Sequence, residues 1–158
     1  MEKFEFLVTS SKVCLSDPCY EKGTWCGEYD VPALNGRWEV EIRRADGRIA
    51  EFTAYHKDHS GDTMFSCSTE YGVDSGQFGI FDSSIYEPET PFEDKDKFYG
   101  SSCATTLGDE RCGVVFGKGF VCRSGYGDGG YDGCAAYQFG NLVKFSIVFI
   151  HEDEEDDD

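Results

Sequence analysis

The stretch Trp38-Glu-Val-Glu-Ile-Arg-Arg-Ala-Asp-Gly-Arg-Ile-Ala-Glu-Phe-Thr-Ala-Tyr-His56 decides the fold class. Apolar and polar residues alternate from 38 to 43, and an extended pattern resumes from 48 to 56. Alternation is typical of a strand with one buried face, because successive side chains point to opposite faces. Asp-Gly between two such runs favours the two-residue turn of a hairpin. The sequence therefore predicts a β-hairpin that turns at Asp46-Gly47.

Similar patterns predict strands in other parts of the chain, at residues 4–8, 13–15, 77–81, 113–122, 135–139 and 142–150. Residues 142–150 are apolar on both faces, which predicts a central strand that is buried on both sides. One helix is predicted at residues 93–105, where Pro91 and an acidic segment suit a helix N-terminus although Gly100 weakens it. We expect a mainly β fold, a single antiparallel β-sandwich or β-roll domain over residues 1–151 with at most one short helix.

The chain is strongly acidic. Its 158 residues include 31 acidic and 14 basic side chains, so the formal net charge is −17. Residues 152–158 are seven consecutive acidic residues, which predicts a solvated, disordered tail. Without them the body keeps 24 acidic side chains against 14 basic ones. This balance argues against direct binding to nucleic acid or to an anionic membrane surface.

Eight cysteines raise the question of disulfides or zinc. The chain begins without an apolar signal-like stretch and contains no apolar run long enough for a membrane helix, which favours a cytoplasmic, reducing location with free thiols. The absence of any Cys-x-x-Cys pair argues against zinc. All but Cys19 are therefore interpreted as small buried hydrophobic residues. The eight are Cys14, Cys19, Cys26, Cys67, Cys103, Cys112, Cys122 and Cys134.

Three glycine-flanked segments differ from ordinary strands and turns. They are Ser-Asp-Pro-Cys-Tyr at 16–20, Gly-Val-Asp-Ser-Gly-Gln-Phe-Gly-Ile-Phe-Asp at 72–82 and Ser-Gly-Tyr-Gly-Asp-Gly-Gly-Tyr-Asp-Gly at 124–133. In this order and spacing they resemble a family of small bacterial and phage proteins, a domain of unknown function, over roughly residues 13–150. The resemblance implies a shared β fold and an intracellular or phage setting. It supplies no catalytic residue.

The three segments provide the candidate site. Asp, Ser, Gln and Tyr beside glycines offer hydrogen bonds close to an accessible backbone. The candidate ligand-binding residues are Asp17, Cys19, Tyr20, Asp74, Ser75, Gln77, Tyr126 and Asp128. Convergence of Asp17, Asp74, Asp82 and Asp128 at one end of the sheet would suit a divalent cation, the one cofactor considered. The alternative is that these aspartates cap turns, as Asp commonly does beside glycine.

An enzymatic alternative uses Cys19 as a nucleophile. It requires a base, for which His56 or His59 is available, and Asp17 or Asp74 to orient that base. The run His56-Lys57-Asp58-His59 is polar, so an exposed loop is expected there. A small enzyme or a metal- or ligand-binding protein would then use a site built from Asp17, Cys19, Asp74, Gln77 and Asp128.

The favoured function is a non-enzymatic acidic binding module of bacterial or phage origin. A compact acidic protein can occupy the basic nucleic-acid-binding surface of a partner protein by imitating a row of phosphates. Tyr20, Trp25, Tyr126 and Tyr131 are the candidate anchors of such a contact, although aromatic residues of β proteins more often lie in the core.

Overall fold

The computed structural model describes residues 2–59, 61 and 63–152, without the side chains of residues 66–68. The described chain is mainly strand, with one α-helix, α1 (Phe98–Leu107), and one 3-10 turn (Ser83–Ile85). Residues 153–158 of the predicted tail lie outside the described residues. The strands are β1 (Glu2–Val8), β2 (Lys12–Ser16), β3 (Glu28–Pro32), β4 (Gly36–Ala45), β5 (Arg48–His56), β6 (Met64–Val73), β7 (Gln77–Asp82), β8 (Cys112–Val114), β9 (Gly119–Arg123), β10 (Gly129–Gln138) and β11 (Asn141–Val148).

The described strands form two antiparallel sheets, which confirms the predicted mainly β, antiparallel fold and, of the sandwich and the roll, favours the sandwich. Sheet A has the order β1-β4-β5-β11-β10-β6, and sheet B has the order β3-β2-β7-β9-β8. Aromatic residues from both sheets fill the space between them. The ring of Phe52 on sheet A lies 5.2 Å from that of Phe120 on sheet B, and Phe145 lies 6.1 Å from Phe78. This shared core follows from the alternating patterns, because each sheet turns its apolar face toward the other.

The predicted hairpin is confirmed as β4 and β5. Ala45 pairs with Arg48, so Asp46 and Gly47 alone form the turn. Both have positive φ, 53° and 74°. Such a turn matches the twist of the flanking strands, and glycine adopts this conformation without steric cost.

The last strand, β11, lies inside sheet A between β5 and β10, as predicted for a central strand. Phe145 and Ile147 point into the core and are fully buried. The other face is only partly covered, since Lys144 is exposed and Ser146 is half-buried. The expectation that both faces are buried is therefore wrong, because no layer of the described fold covers the outer face of sheet A at this point.

Other strand boundaries differ from the predictions. Residues 113–122 form two strands, β8 and β9, because Phe116 and Gly117 adopt positive φ of 52° and 69° and reverse the chain. Strand β10 begins at Gly129, inside the third glycine-flanked segment. Strands β3 and β6 were not predicted, because charged, proline or small polar residues interrupt their apolar patterns.

The helix covers the outer face of sheet B and begins later than predicted. Phe98, the first residue of α1, packs against Phe81 of β7 with ring centroids 5.0 Å apart. Residues 93–97 form turns instead, in which the Lys97 amide donates to the Asp94 carbonyl at 3.1 Å. These turns bring the Asp94 carbonyl against the helix at Gly100, where a Cβ would lie 2.0 Å from the oxygen. Gly100 therefore permits close packing.

We predict that Gly100→Ala destabilises the fold by about 2 kcal/mol or more, because the new methyl group meets a backbone carbonyl that cannot move freely. Helix propensity alone predicts the opposite sign, since alanine is favoured over glycine by about 1 kcal/mol within a helix. Chemical denaturation monitored by circular dichroism measures the difference. Gly108→Ala is the matched control, because the nearest atom to its added Cβ is 3.4 Å away. Equal stability of the two variants would contradict the role given to Gly100.

Candidate functional site

Two of the glycine-flanked segments form neighbouring corners that cross between the sheets. Residues 74–76 connect β6 of sheet A to β7 of sheet B, and residues 124–128 connect β9 of sheet B to β10 of sheet A. Val73 pairs with Gly129, and Gln77 pairs with Arg123. The strands on both sides of the corners are thus partners, and the corners lie side by side. We call them the 74–76 corner and the 124–128 corner.

The first glycine-flanked segment is fixed to the 74–76 corner through Asp17, whose side chain is fully buried. One carboxylate oxygen, Oδ2, accepts hydrogen bonds from the backbone amides of Asp74 at 2.8 Å and Ser75 at 2.7 Å. The other, Oδ1, accepts from the Cys19 amide at 2.9 Å and the Ser75 hydroxyl at 2.6 Å. Four donors satisfy the carboxylate, so Asp17 serves as a clamp between two loops rather than as an open ligand.

Asp82 also accepts hydrogen bonds from backbone amides, at the opposite end of β2. Its fully buried carboxylate accepts from the Thr9 amide at 2.6 Å and the Ser84 amide at 2.9 Å. Strand pairing places Val13, near the start of β2, opposite Asp82, whereas Asp17 follows the end of that strand. The expected convergence of Asp17, Asp74, Asp82 and Asp128 therefore fails at Asp82, whereas Asp17 binds the Asp74 amide and Asp74 and Asp128 line one cleft. In the part of the chain that the structure describes, no three His, Cys, Asp or Glu side chains form a group that could hold a metal ion.

The clamp at Asp82 depends on its charge. Burial alone raises the pKa of this carboxyl, but hydrogen bonds from the Ser10 hydroxyl and from the Ser84 and Thr9 amides outweigh that effect. They lower the pKa from 3.8 to about 2. Hydrogen bonds of this kind favour the ionised form, because a carboxylate accepts them more strongly than a neutral carboxyl.

We predict that Asp82 contributes about 2 kcal/mol of folding stability near neutral pH. Because its pKa is lowered on folding, this contribution is complete above pH 3.8 and is lost as the pH falls toward 2. Asp82→Asn should be less stable at neutral pH and should lose that part of the acid dependence. Urea denaturation at a series of pH values measures both effects. An unchanged pH profile between 4 and 2 would contradict the assignment.

Cys19 lies beside the Asp17 carboxylate and is half-buried. Burial raises the pKa of its thiol, and the negative charge of Asp17 raises it further, to about 12. The candidate base His56 lies at the other end of the sandwich, where its Nε2 is 2.7 Å from the Asn35 carbonyl. Asn35 in turn accepts a hydrogen bond from the Ser11 amide, just before β2 begins. The expected pairing of Cys19 with a histidine base therefore has no support in this geometry.

The prediction of an exposed loop at residues 56–59 is wrong for His56, which is 6 % exposed. Its ring packs edge-on against Trp38, with centroids 6.1 Å apart. His59 follows in a turn, with Nδ1 2.9 Å from the His56 carbonyl. The histidine is buried because it occupies the last inward-facing position of β5, opposite Trp38.

We predict that iodoacetamide labels Cys19 more than about tenfold more slowly than an unstructured thiol near pH 7, because the raised pKa leaves little thiolate. Mass spectrometry of the peptide that contains Cys19 measures the rate. The same labelling in denaturant is the control and should restore an ordinary thiol rate. Labelling of the folded protein faster than the unfolded one would favour a nucleophilic Cys19.

Gln77 lies under the helix and not in an open site. Its side chain is buried, and Oε1 accepts a hydrogen bond from the Thr106 hydroxyl of α1 at 3.0 Å. Its Nε2 is 3.4 Å from the Ser75 hydroxyl and 3.4 Å from the Cys103 thiol. Gln77 therefore connects β7 to α1.

An open cleft of about 540 Å³ lies on one side of the 74–76 corner. Its lining brings together two aromatic rings and three carboxylates, from Tyr20, Trp25, Glu70, Asp74 and Asp128. We call this the acidic cleft. Trp25 is 89 % exposed. Among the ion pairs formed by described residues, none involves the three carboxylates of the cleft. No sequence pattern places Glu70 in a site, because the residues of strand β6 lack a clear strand pattern.

A second cavity, of about 330 Å³, is lined in part by Gly76 of the same corner. Its lining contains three arginines, Arg48, Arg111 and Arg123, together with Tyr126. We call it the arginine cavity. Tyr126 therefore faces this cavity and not the acidic cleft. No local pattern predicts the cavity, because its arginines come from separate segments of the chain.

Two further predictions concern side chains outside these sites. Tyr131 packs against Phe149 with ring centroids 5.1 Å apart, so its ring belongs to the edge of the core. Most of the described cysteines are buried, as expected, while Cys134 is half-buried and the side chain of Cys67 lies outside the described residues. The seven described cysteines carry free thiols.

Among the described helices, none has the length and apolar character to cross a membrane.

Comparison with protein-family models, with curated proteins and with solved structures gives no significant match to the chain. The resemblance to a family of small bacterial and phage proteins therefore stays a prediction.

Proposed function

We propose that the protein is a non-enzymatic binding module whose acidic cleft holds a basic segment of a partner protein. The observation that carries the proposal is the position of Trp25, which is 89 % exposed in a cleft that also contains three carboxylates. Large aromatic residues are usually buried, and an exposed one in a concave site is typical of a binding anchor.

The chemistry of the cleft favours a cation. The face of a tryptophan ring attracts ammonium and guanidinium groups more strongly than other aromatic faces do. The carboxylates of Glu70, Asp74 and Asp128 provide the opposite charge, and carboxylates can accept two parallel hydrogen bonds from one arginine. An arginine-rich segment therefore suits both the tryptophan ring and the carboxylates that line the cleft.

The loop that carries Trp25 is held in place on both sides. Before it, the Tyr86 hydroxyl donates to the Tyr20 carbonyl at 2.6 Å. After it, the Gly72 amide of β6 donates to the Cys26 carbonyl at 3.0 Å. A Cβ on Gly72 would lie 2.9 Å from the Cys26 sulfur, so this approach depends on glycine. A fixed loop lowers the entropy lost when a partner binds.

The charge of the whole chain extends the attraction beyond the cleft. A net charge of −17 accelerates encounter with a basic surface and repels nucleic acid itself. The class of partner that fits is a protein with a basic, nucleic-acid-binding surface. A bacterial or phage setting for that partner rests on the resemblance of the three glycine-flanked segments alone.

We predict that an oligoarginine peptide binds the cleft and changes the fluorescence of Trp25. A change in tryptophan fluorescence then reports on Trp25, because the other tryptophan, Trp38, is fully buried. Trp25→Ala should lower the affinity by about tenfold or more, measured by calorimetry, since it removes the cation–π contact and the anchor. Asp128→Asn should weaken binding, and raised salt should weaken it further.

Two variants control for effects that do not depend on the cleft. Glu93→Gln removes one exposed negative charge outside it, and Phe139→Ala removes an aromatic ring that is 97 % exposed elsewhere. Neither should change the affinity. If Glu93→Gln weakens binding as much as Asp128→Asn, the peptide responds to net charge alone and the proposal is wrong. Binding that persists unchanged at molar salt would also contradict it.

A further inference from the structure

The arginine cavity lies beside the 124–128 corner and concentrates positive charge in an acidic protein. Its three arginines come from the start of β5, from the residue before β8 and from the end of β9, at Arg48, Arg111 and Arg123. The chain has 14 basic residues in all, so three of them in one cavity is a marked local excess. Three like charges in one concave site repel each other unless an anion is shared among them.

Two other arginines, on the neighbouring strand β4, each form an ion pair with a glutamate. Arg43 pairs with Glu51 at 3.0 Å, and Arg44 pairs with Glu2 at 2.6 Å. By contrast, within the described part of the chain no ion pair involves Arg48, Arg111 or Arg123. With 31 acidic side chains in the chain, the absence of an ion pair at these three arginines among the described residues favours an external anion as their partner.

The backbone holds these arginines in position. Arg111 has a positive φ of 62°, a conformation that costs energy for a residue with a side chain. Hydrogen bonds fix it there, because its amide donates to the Gly108 carbonyl at 3.1 Å and its carbonyl accepts from the Arg123 amide at 2.9 Å. The Arg48 guanidinium lies 4.9 Å from the centre of the Tyr126 ring. Arginine residues held in this way are suited to binding an anion without reorganisation.

We propose that the arginine cavity binds the phosphate group of a small phosphorylated molecule. A single arginine can satisfy both oxygens of a carboxylate, whereas a phosphate group has more oxygens and a higher charge to share among three guanidinium groups. The volume of about 330 Å³ exceeds that of one phosphate group and lies within the usual range of small-molecule sites. Tyr126 supplies an aromatic surface for the rest of the ligand.

Two acidic residues limit the charge of the site. Asp109 is among the residues that line the cavity, and the Tyr126 hydroxyl donates to Asp46 at 3.4 Å. The three arginines outnumber Asp109, so the net charge of the cavity lining is positive. This site differs from the acidic cleft in both position and sign of charge, so it does not depend on the binding of a basic partner.

The test is a calorimetric titration of the full chain with inorganic phosphate and, separately, with a mononucleotide. Both should bind saturably, and the mononucleotide should bind at least as tightly as phosphate because it also contacts Tyr126. Arg123→Gln should weaken both by about tenfold or more, the usual effect of losing a charged hydrogen bond. Arg111→Gly is the second variant, since glycine accepts the positive φ at this position and should preserve the fold.

The matched control is Arg37→Gln, which removes an exposed arginine that forms no ion pair with the described residues. It should leave both affinities within about twofold. The proposal is overturned if the unmodified protein binds neither probe, if the mononucleotide binds more weakly than phosphate, or if Arg37→Gln weakens binding as much as Arg123→Gln. Circular dichroism verifies that each variant is folded.

Discussion

Two buried carboxylates, Asp17 and Asp82, connect the sheets at the two ends of the β2–β7 pair. Each lies in a site where an unsatisfied charge would cost several kcal/mol, and each accepts hydrogen bonds from backbone amides. Asp17 binds the 74–76 corner, and Asp82 binds residues 9–10 between β1 and β2. Both of these segments cross from one sheet to the other. The sandwich is thus held by carboxylate–amide bonds at its ends as well as by the aromatic core.

The two candidate sites share the 74–76 corner, which Asp17 binds. Strand pairing sets the 74–76 and 124–128 corners side by side, and the Ser124 amide joins them by donating to the Gly76 carbonyl at 3.0 Å. Asp74 and Asp128 then face the acidic cleft, while Gly76 and Arg123 line the arginine cavity. The two corners thus contribute residues to two pockets whose charged linings differ in sign. On the two proposals above, a cationic and an anionic ligand would bind in separate pockets near the same corner.

The sequence predicts the parts of the fold that depend on residues close together in the chain. The β4–β5 hairpin depends on Asp46-Gly47 and on the alternation beside it, so neighbouring residues carry the whole signal. Strand β6 has small polar residues and depends on its pairing with β10, some sixty positions later in the chain. The arginine cavity could not be predicted for the same reason, because residues from 48 to 123 meet only after both sheets have formed. The glycine-flanked segments single out the aspartates, but whether Asp17 faces a ligand or a backbone amide depends on the 74–76 corner, which is distant in the sequence.

An isolated basic cavity on an acidic protein has a consequence for selectivity. Electrostatic forces in physiological salt fade over about 8 Å, so a small anion inside the cavity interacts mainly with the nearby arginines. A nucleic acid is longer than this distance, and its other phosphates would lie over a surface that carries the remaining negative charge of the chain. On the proposal of a phosphate site, the three arginines would therefore bind a small phosphorylated molecule, while the net charge of the chain disfavours a polymer of the same chemical group. The net charge of the chain governs its electrostatic interaction with charged polymers, whereas the residues that line each pocket govern its interaction with small ligands.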